Sequence, residues 1–348
     1  MKSFQIGTRN IGGDNPCFII AELSANHNGS LDTALATIKA AKRAGADAVK
    51  LQTFRADTIT IDSKKEDFRI GGTIWDGQFL YDLYLEAFTP WEWHEQLFKT
   101  ANEEGLICFS SPFDPTSVDL LESLNTPAYK VASLEITDIP LIELIASKGK
   151  PVIISTGIAT REDIELAIDA CKRMGNTDIA LLKCTTSYPA PIEEANLSMV
   201  KDFENSFEVI TGLSDHTMGS VAPIVSVVMG AKIIEKHFIL DRSIGGPDAS
   251  FSMNEEEFTE MVNSVRDAEK SIGIVNYDLT EKQSKGKIFA RSLYVIEDIE
   301  AGGAITEKNV RSIRPGYGMH PKYYKEVLGK KSKSFLEKGT PLTFNDIL

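Results

Sequence analysis

Eight short apolar runs, rich in β-branched residues, punctuate the chain between Cys17 and His237, each followed by polar loop residues and a stretch with helical periodicity. They run from Cys17 to Ala21, Ala48 to Leu51, Leu106 to Phe109, Ala128 to Ala132, Val152 to Ile154, Ile179 to Leu182, Val209 to Leu213 and Lys232 to Glu235. Buried strands alternating with helices predict an α/β protein with a parallel sheet, and eight such units predict closure into a (β/α)8 TIM barrel. An open doubly wound sheet would carry a glycine-rich dinucleotide turn after its first strand. The turn here reads Glu22-Leu23-Ser24-Ala25-Asn26-His27. Helix ends are legible too. Leu31 to Ala44 sets Leu31, Ala34, Ile38 and Ala41 on one face. Thr160 and Asn254 each stand three residues before an acid, the capping-box spacing, and Gly105, Gly149 and Gly175 are placed to stop helices.

Two stretches depart from the alternation. The connection from Phe54 to Gly105 is too long for a simple crossover and carries Trp75 and two helical patterns. It is either a lid on the active rim or a packing element on the barrel's outside. Beyond Ile272 a polar linker, residues 273–288, leads to a second unit, residues 289–348, so residues 1–272 form the barrel domain. The second unit holds a degenerate repeat: Ile299 to Thr306 is echoed by Leu336 to Thr343, as expected of a small pseudo-symmetric β domain.

The 348 residues carry a formal net charge of -13 and no Lys/Arg-rich stretch, which argues against a nucleic-acid partner. A small anionic substrate must then meet its own local cations. No apolar run approaches a membrane span and the amino terminus lacks a signal-peptide core, so a cytoplasmic protein without a membrane partner is expected. Cys17, Cys108, Cys171 and Cys184 show no CxxC spacing and read as buried thiols of a reducing compartment.

In a barrel, catalytic groups gather where strands finish. The residues there are Glu22; Lys50 and Gln52; Ser110 and Ser111; Lys130 with Ser133 and Glu135; Ser155 and Thr156; Thr185 to Tyr188; Ser214 and His216; and His237. His216 and His237 follow neighbouring strands, a plausible metal-ligand pair, with Asp248 on the glycine-rich loop beyond. Either histidine alone reads equally well as a core or capping residue. Lysines in apolar strands are costly to bury unless an anion or an acid meets them, and hydroxyls at Ser133, Ser155 and Ser214 can donate to phosphate oxygens. The combination suggests a phosphate-bearing carboxylate as ligand. A divalent ion on the histidines would polarise a carbonyl, and a lysine Schiff base is the metal-free alternative. Glu22 and Glu135 are candidates for orienting a second substrate and for handling protons.

Taken in order, Ile20-Ala21-Glu22, Gly45 to Thr53, Ser111-Pro112-Phe113, Tyr129-Lys130, Ser155-Thr156-Gly157, Lys183-Cys184-Thr185, Gly212 to His216, Glu235 to Phe238 and Gly246-Pro247-Asp248 resemble the sialic acid synthase family over essentially the whole chain. The tail resembles the family's antifreeze-like (SAF, β-clip) domain, with Ile313-Arg314-Pro315-Gly316 matching its arginine motif. Asp67 to Asp76, Thr89 to His94 and Gly318 to Tyr324 look like the pseudaminate branch, whereas Gly245 to Asp248 and Arg314-Pro315-Gly316 look more like the neuraminate pattern.

The resemblance implies a transferase that condenses phosphoenolpyruvate with an amino-sugar aldehyde, a 2,4-diacetamido-2,4,6-trideoxy-L-altrose in the pseudaminate branch. Neuraminate or legionaminate synthesis is the alternative; a metal-dependent pyruvate aldolase and a non-catalytic sugar-binding protein are less favoured. It implies a divalent metal on His216 and His237, manganese with cobalt or magnesium as alternatives. It implies phosphoenolpyruvate held by Lys50, Lys130, Ser133, Ser155, Ser214, Thr186 and Tyr188, with Gln52, Ser111 and Phe113 in the binding surface. Glu135 would stand near the attacking water, and Glu22 and Asp248 on acceptor hydroxyls. Arg314 would reach an acetamido group from the second chain of a domain-swapped homodimer. Thr186 stands where neuraminate synthases carry an asparagine.

Overall fold

The strand runs continue beyond their apolar residues. In the structure, a computed structural model that describes residues 2–348, they become β3 (Phe18–Glu22), β4 (Ala48–Thr53), β5 (Ile107–Pro112), β6 (Tyr129–Val131), β7 (Val152–Ser155), β8 (Ile179–Cys184), β9 (Ile210–Asp215) and β10 (Ile233–His237). Most gain one to three polar residues at the carboxyl end, because backbone pairing persists where the barrel interior stops being apolar. Each strand is parallel to its neighbour, and β10 pairs with β3, from Ile233 opposite Phe18 to His237 opposite Glu22, closing the barrel.

Two strands precede the barrel. β1 (Ser3–Ile6) and β2 (Arg9–Gly12) form an antiparallel hairpin whose Phe4, Ile6 and Ile11 join Phe18, Ile20, Ala48, Phe109, Ile153, Leu182 and Ile233 in one buried cluster. The hairpin thus plugs the amino-terminal end of the barrel. Sequence reading passed over it, since four-residue strands give little periodicity; Phe4-x-Ile6 and Ile11 on either side of Gly7-Thr8 were the available signal.

Period-two alternation sorts the strands' side chains. Ile19, Ala21, Val49, Leu51, Ile154 and Leu181 pack outward against the helices, among them Leu31–Arg43, Arg161–Arg173 and Glu255–Ile272. Thr160 and Asn254 close the predicted capping boxes, and Gly105, Gly149 and Gly175 take left-handed φ just past their helices. The inward set is apolar at the bottom and turns polar above: Ile20 is followed by Glu22, Ala48 by Lys50, Phe109 by Ser111, Ala128 by Lys130, Ile153 by Ser155, Leu182 by Cys184 and Ile233 by Glu235. That boundary is the floor of the site.

Gly212 is required just below it. A Cβ there would stand 2.4 Å from the Ile233 carbonyl oxygen and 2.6 Å from the Leu182 side chain. Gly212→Ala is therefore expected to destabilise the barrel by about 1–3 kcal/mol, read as a lowered urea midpoint at unchanged m-value.

A second compact unit runs from Ile274 to Leu348. β11 (Ser292–Val295) and β12 (Val310–Ile313) pair antiparallel, and the two halves of the sequence repeat meet at the bridge between Ile299 and Leu336. Leu293, Val295, Ile305, Val310, Leu336 and Leu342 form its own core. Residues 281–286 are helical within the stretch expected as a linker.

Candidate active site

Closure of the barrel sets Glu22 between two neighbours, Lys50 on β4 and His237 on β10, and these pairings could not be read before the ring was closed. The Lys50 ammonium lies 2.6 Å from Glu22 and 3.4 Å from Glu235, and donates to Ser111 at 3.3 Å. All are buried. Burial alone would lower the lysine, but the two carboxylates outweigh it and hold its pKa above the ordinary value. Burial likewise raises Glu22, with Lys50 opposing, whereas Glu235 is drawn below its usual range against its own burial by Lys130 and Lys50. Gln52 donates to Glu22 and Ser24 at 3.0 Å, and Ser24 donates to Asp248, so Asp248 is tied to this network.

Lys130 differs. It is 1% exposed, its ammonium donates to the Val131 carbonyl at 2.8 Å, and among the described residues no acid pairs with it. Burial depresses its pKa. Hydroxyls without partners lie at the neighbouring strand ends: Ser155 Oγ and Thr186 Oγ1 are both buried and unsatisfied. Ser133 Oγ accepts the Gly157 N–H at 3.1 Å, and a Cβ on Gly157 would fall 1.9 Å from Thr186 Oγ1 and 2.7 Å from Ser133 Oγ. Glycine there lets three hydroxyl-bearing loops converge. Ser214 points to Glu235 at 3.5 Å.

The histidines come together as well. His216 and His237 have ring centroids 5.3 Å apart. His216 Nδ1 donates to the Thr185 carbonyl at 2.9 Å, which turns Nε2 toward the site as the nitrogen an ion would take. Burial would lower the ring's pKa, but Cys184 beside it holds it above the ordinary value. His237 Nδ1 is buried without a partner, and burial keeps the ring neutral. Two adjacent imidazoles, each with one ring nitrogen that no protein group engages, fit a divalent ion. Among the described residues no three His, Cys, Asp or Glu side chains gather into a larger ligand set. The loop bearing His216 is fixed by a fully buried ion pair, Lys236 to Asp215 at 2.5 Å.

Glu135, in the turn after β6, has a buried and unpartnered Oε2. Burial pushes its pKa up to about 7, with Lys130 opposing. This raised value has a sign. The folded state holds the proton between the unfolded value of 4.5 and about 7, so Glu135 costs no stability below 4.5 and its full cost falls above 7. Glu135→Gln is expected to gain stability over the parent on going from pH 4.5 to pH 8, by about 3 kcal/mol. Urea unfolding of the metal-free proteins at the two pH values checks this.

The insertion does both things expected of it: its helix His94–Glu103 packs on the barrel's outside through Leu97, Phe98 and Ala101, while Trp75 reaches the rim. Trp75 donates to the Pro247 carbonyl at 3.2 Å and its ring meets Tyr188 at 5.6 Å, which in turn lies 4.5 Å from His216. Phe113 engages the root of the insertion, edge-on to Phe54 at 5.3 Å. Arg314 is exposed at the end of β12 in the second unit.

Sequence reading missed Glu235 and Cys184 as parts of the site. Two-residue alternation placed Glu235 on the face of His237, the signal that was available. Cys184 Sγ lies 3.9 Å from His216 Nδ1; burial would raise the thiol, but His216 and Ser133 bring it to about 7.

Comparison with known proteins follows the same lines. The NeuB family model matches residues 37–277 and the SAF domain model residues 290–348. A pseudaminic acid synthase of Campylobacter jejuni subsp. jejuni serotype O:23/36 is 49% identical over 342 residues, 98% of this chain and 99% of that protein. One of Helicobacter pylori is 48% identical over 333 residues, covering 95% and 98%. The crystal structure of N-acetylneuraminic acid (sialic acid) synthetase from Leptospira borgpetersenii, in complex with citrate, superposes with a TM-score of 0.73 at 30% identity, covering 82% of this chain and 95% of that one. By family model, relatives and closed barrel alike, the chain belongs to the NeuB family and carries a SAF domain behind its barrel.

Proposed function

We propose that this chain is a pseudaminic acid synthase, which joins phosphoenolpyruvate to 2,4-diacetamido-2,4,6-trideoxy-L-altrose, consumes a water and releases phosphate. The observation that carries the reading is the buried, unpaired Lys130 beside the unsatisfied hydroxyls of Ser155 and Thr186. A buried ammonium that Glu235 and Glu135 reach only beyond ion-pair distance has room for an anion, and converging hydroxyl donors suit phosphate oxygens. The sugar rests on the two pseudaminic acid synthases at 48–49% identity.

In this reading Lys130, Ser133, Ser155, Ser214 and Thr186 hold the phosphate and carboxylate of phosphoenolpyruvate, with Lys50 fixed among its acids at the base. Tyr188 stands against His216 and walls the other side. A divalent ion, manganese or a similar ion on His216 and His237, would polarise the acceptor's carbonyl oxygen when bound. The C2–C3 double bond of the enol phosphate supplies the electron pair that bonds carbon 3 to the aldehyde carbon, and the aldehyde oxygen ends as a hydroxyl with one of the water's protons. Water adds at carbon 2, and the bond from that carbon to the phosphate oxygen breaks. Glu135, with its pKa near 7, takes a proton from the water at its carboxylate or returns one to the leaving group. Glu22, held by Gln52, and Asp248, held by Ser24, accept from acceptor hydroxyls. Arg314 completes the pocket from the partner of a domain-swapped homodimer. Four buried free thiols suit a reducing compartment, and we place the enzyme in the cytoplasm.

Phosphate release from phosphoenolpyruvate with manganese present, offered three aldehydes in parallel, tests the reading. The diacetamido-trideoxy-altrose is expected to support release, and the legionaminate precursor and N-acetylmannosamine to fall well behind. Release with N-acetylmannosamine alone would return the chain to neuraminate chemistry. Carbon–carbon bond formation from pyruvate without phosphate release would make it an aldolase.

A further inference from the structure

The insertion after β4 puts one residue where the proposed chemistry has no use for it. Trp75 sits in the turn between Gly72 and Gly77, half-buried, with its only polar atom, Nε1, committed to the Pro247 carbonyl. Its ring meets Tyr188 at 5.6 Å; Tyr188 meets Phe251 at 5.0 Å; and Phe251 meets His237 at 4.9 Å. The rings form a continuous aromatic wall that starts at the imidazole pair and ends at Trp75. Pro247 immediately precedes Asp248, so the indole also pins the loop that presents this acid.

We propose that Trp75 is a specificity-determining residue, selecting an acceptor whose carbon chain ends in a methyl rather than a hydroxymethyl group. The inference rests on the reading of the site given above. With the aldehyde at the histidines, an acceptor laid along the wall brings its far end to the indole. Phe251 offers no polar atom there and Trp75 has none to spare, so the Tyr188 hydroxyl is the wall's one free polar group and the indole face itself has none. An acetamido group would leave its amide N–H and C=O without partners against ring faces, whereas a deoxy terminus needs none. A hydroxyl added at that end loses its water and finds no partner on the indole face. Apolar pockets reject such a hydroxyl only moderately, by up to about 100-fold.

The test compares 2,4-diacetamido-2,4,6-trideoxy-altrose with its 6-hydroxy counterpart by kcat/KM for phosphate release, in the parent, Trp75→Phe and Trp75→Gln, each checked for folding by its thermal melt. The parent is expected to favour the deoxy sugar by roughly 10- to 100-fold. Trp75→Phe is expected to keep most of that ratio, because a ring face remains. Trp75→Gln, which offers hydrogen bonds instead, is expected to bring it within about threefold. A parent ratio under threefold, or a ratio unmoved by Trp75→Gln, overturns the proposal. Collapse of the ratio in Trp75→Phe overturns the ring-face account and assigns selectivity to the bond with Pro247. Failure of both sugars to release phosphate in the parent would instead bring down the functional reading beneath it.

Discussion

Replacing His237 with alanine is expected to lower turnover by about 1,000-fold or more while the barrel stays folded. Carbonyl polarisation by a bound ion is worth several kcal/mol in the transition state, and each 1.36 kcal/mol is a factor of ten in rate. The fold tolerates the change for an electrostatic reason. His237 is buried but neutral, and its Nδ1 has no partner, so its removal strands no charge and leaves only a small cavity. That costs about 1–3 kcal/mol, as for an ordinary core truncation. Lys50→Ala would be a poorer probe. It would leave Glu22 and Glu235 facing each other in a buried site, and lost activity would be confounded with lost structure. Phosphate release, with a thermal melt as the control, reads the His237 result. Exhaustive chelation of the parent is expected to give a comparable loss, and a chelated parent with undiminished turnover would sink the metal assignment.

The contrast between these two residues also marks how far the sequence could be read. Eight strands were legible because each is a compact β-branched run, and the strand-end residues followed from counting to the end of each run. Their partners were not legible. Lys50 meets Glu22 on one neighbouring strand and Glu235 two strands round the ring, and the second contact exists only because β10 closes onto β3. A lysine read alone could be paired with an acid or left for an anion. Lys50 is paired with Glu22, whereas Lys130, 1% exposed, makes no ion pair among the described residues, and the proposal gives it the anion. Glu235 was hidden by its surroundings, since a carboxylate between Ile234 and Lys236 reads as strand body until alternation is counted from His237. The insertion gave no periodicity that could say which side of the barrel it covers. The hydrogen bond from Trp75 to Pro247 brings its middle to the rim, and the burial of Leu97, Phe98 and Ala101 puts its last helix on the outside.

Removing residues 274–348 is expected to leave a folded barrel with at least a tenfold loss of turnover. The two units have separate hydrophobic cores: that of the barrel draws on residues up to Val265, and that of the second unit begins at Leu293. Each therefore carries its own hydrophobic stabilisation, and the truncated barrel should melt cooperatively close to the parent. The catalytic loss follows from the proposal that Arg314 reaches the partner's acceptor site. A guanidinium hydrogen bond to an acetamido carbonyl is worth about 1.5–3 kcal/mol, or roughly 10- to 100-fold. Arg314→Ala in the full chain should reproduce that part of the loss. Mixing sharpens the test. His237→Ala supplies an intact Arg314 and Arg314→Ala supplies an intact histidine pair, so a swapped dimer of the two chains holds one complete site. In a symmetric pair assembled at random, half the dimers are mixed and half of their sites are complete, which restores about a quarter of parental activity. Recovery near that level after unfolding and joint refolding supports exchange of the second unit between chains. A mixture no more active than the average of its two components, or a truncated barrel with full activity, refutes it.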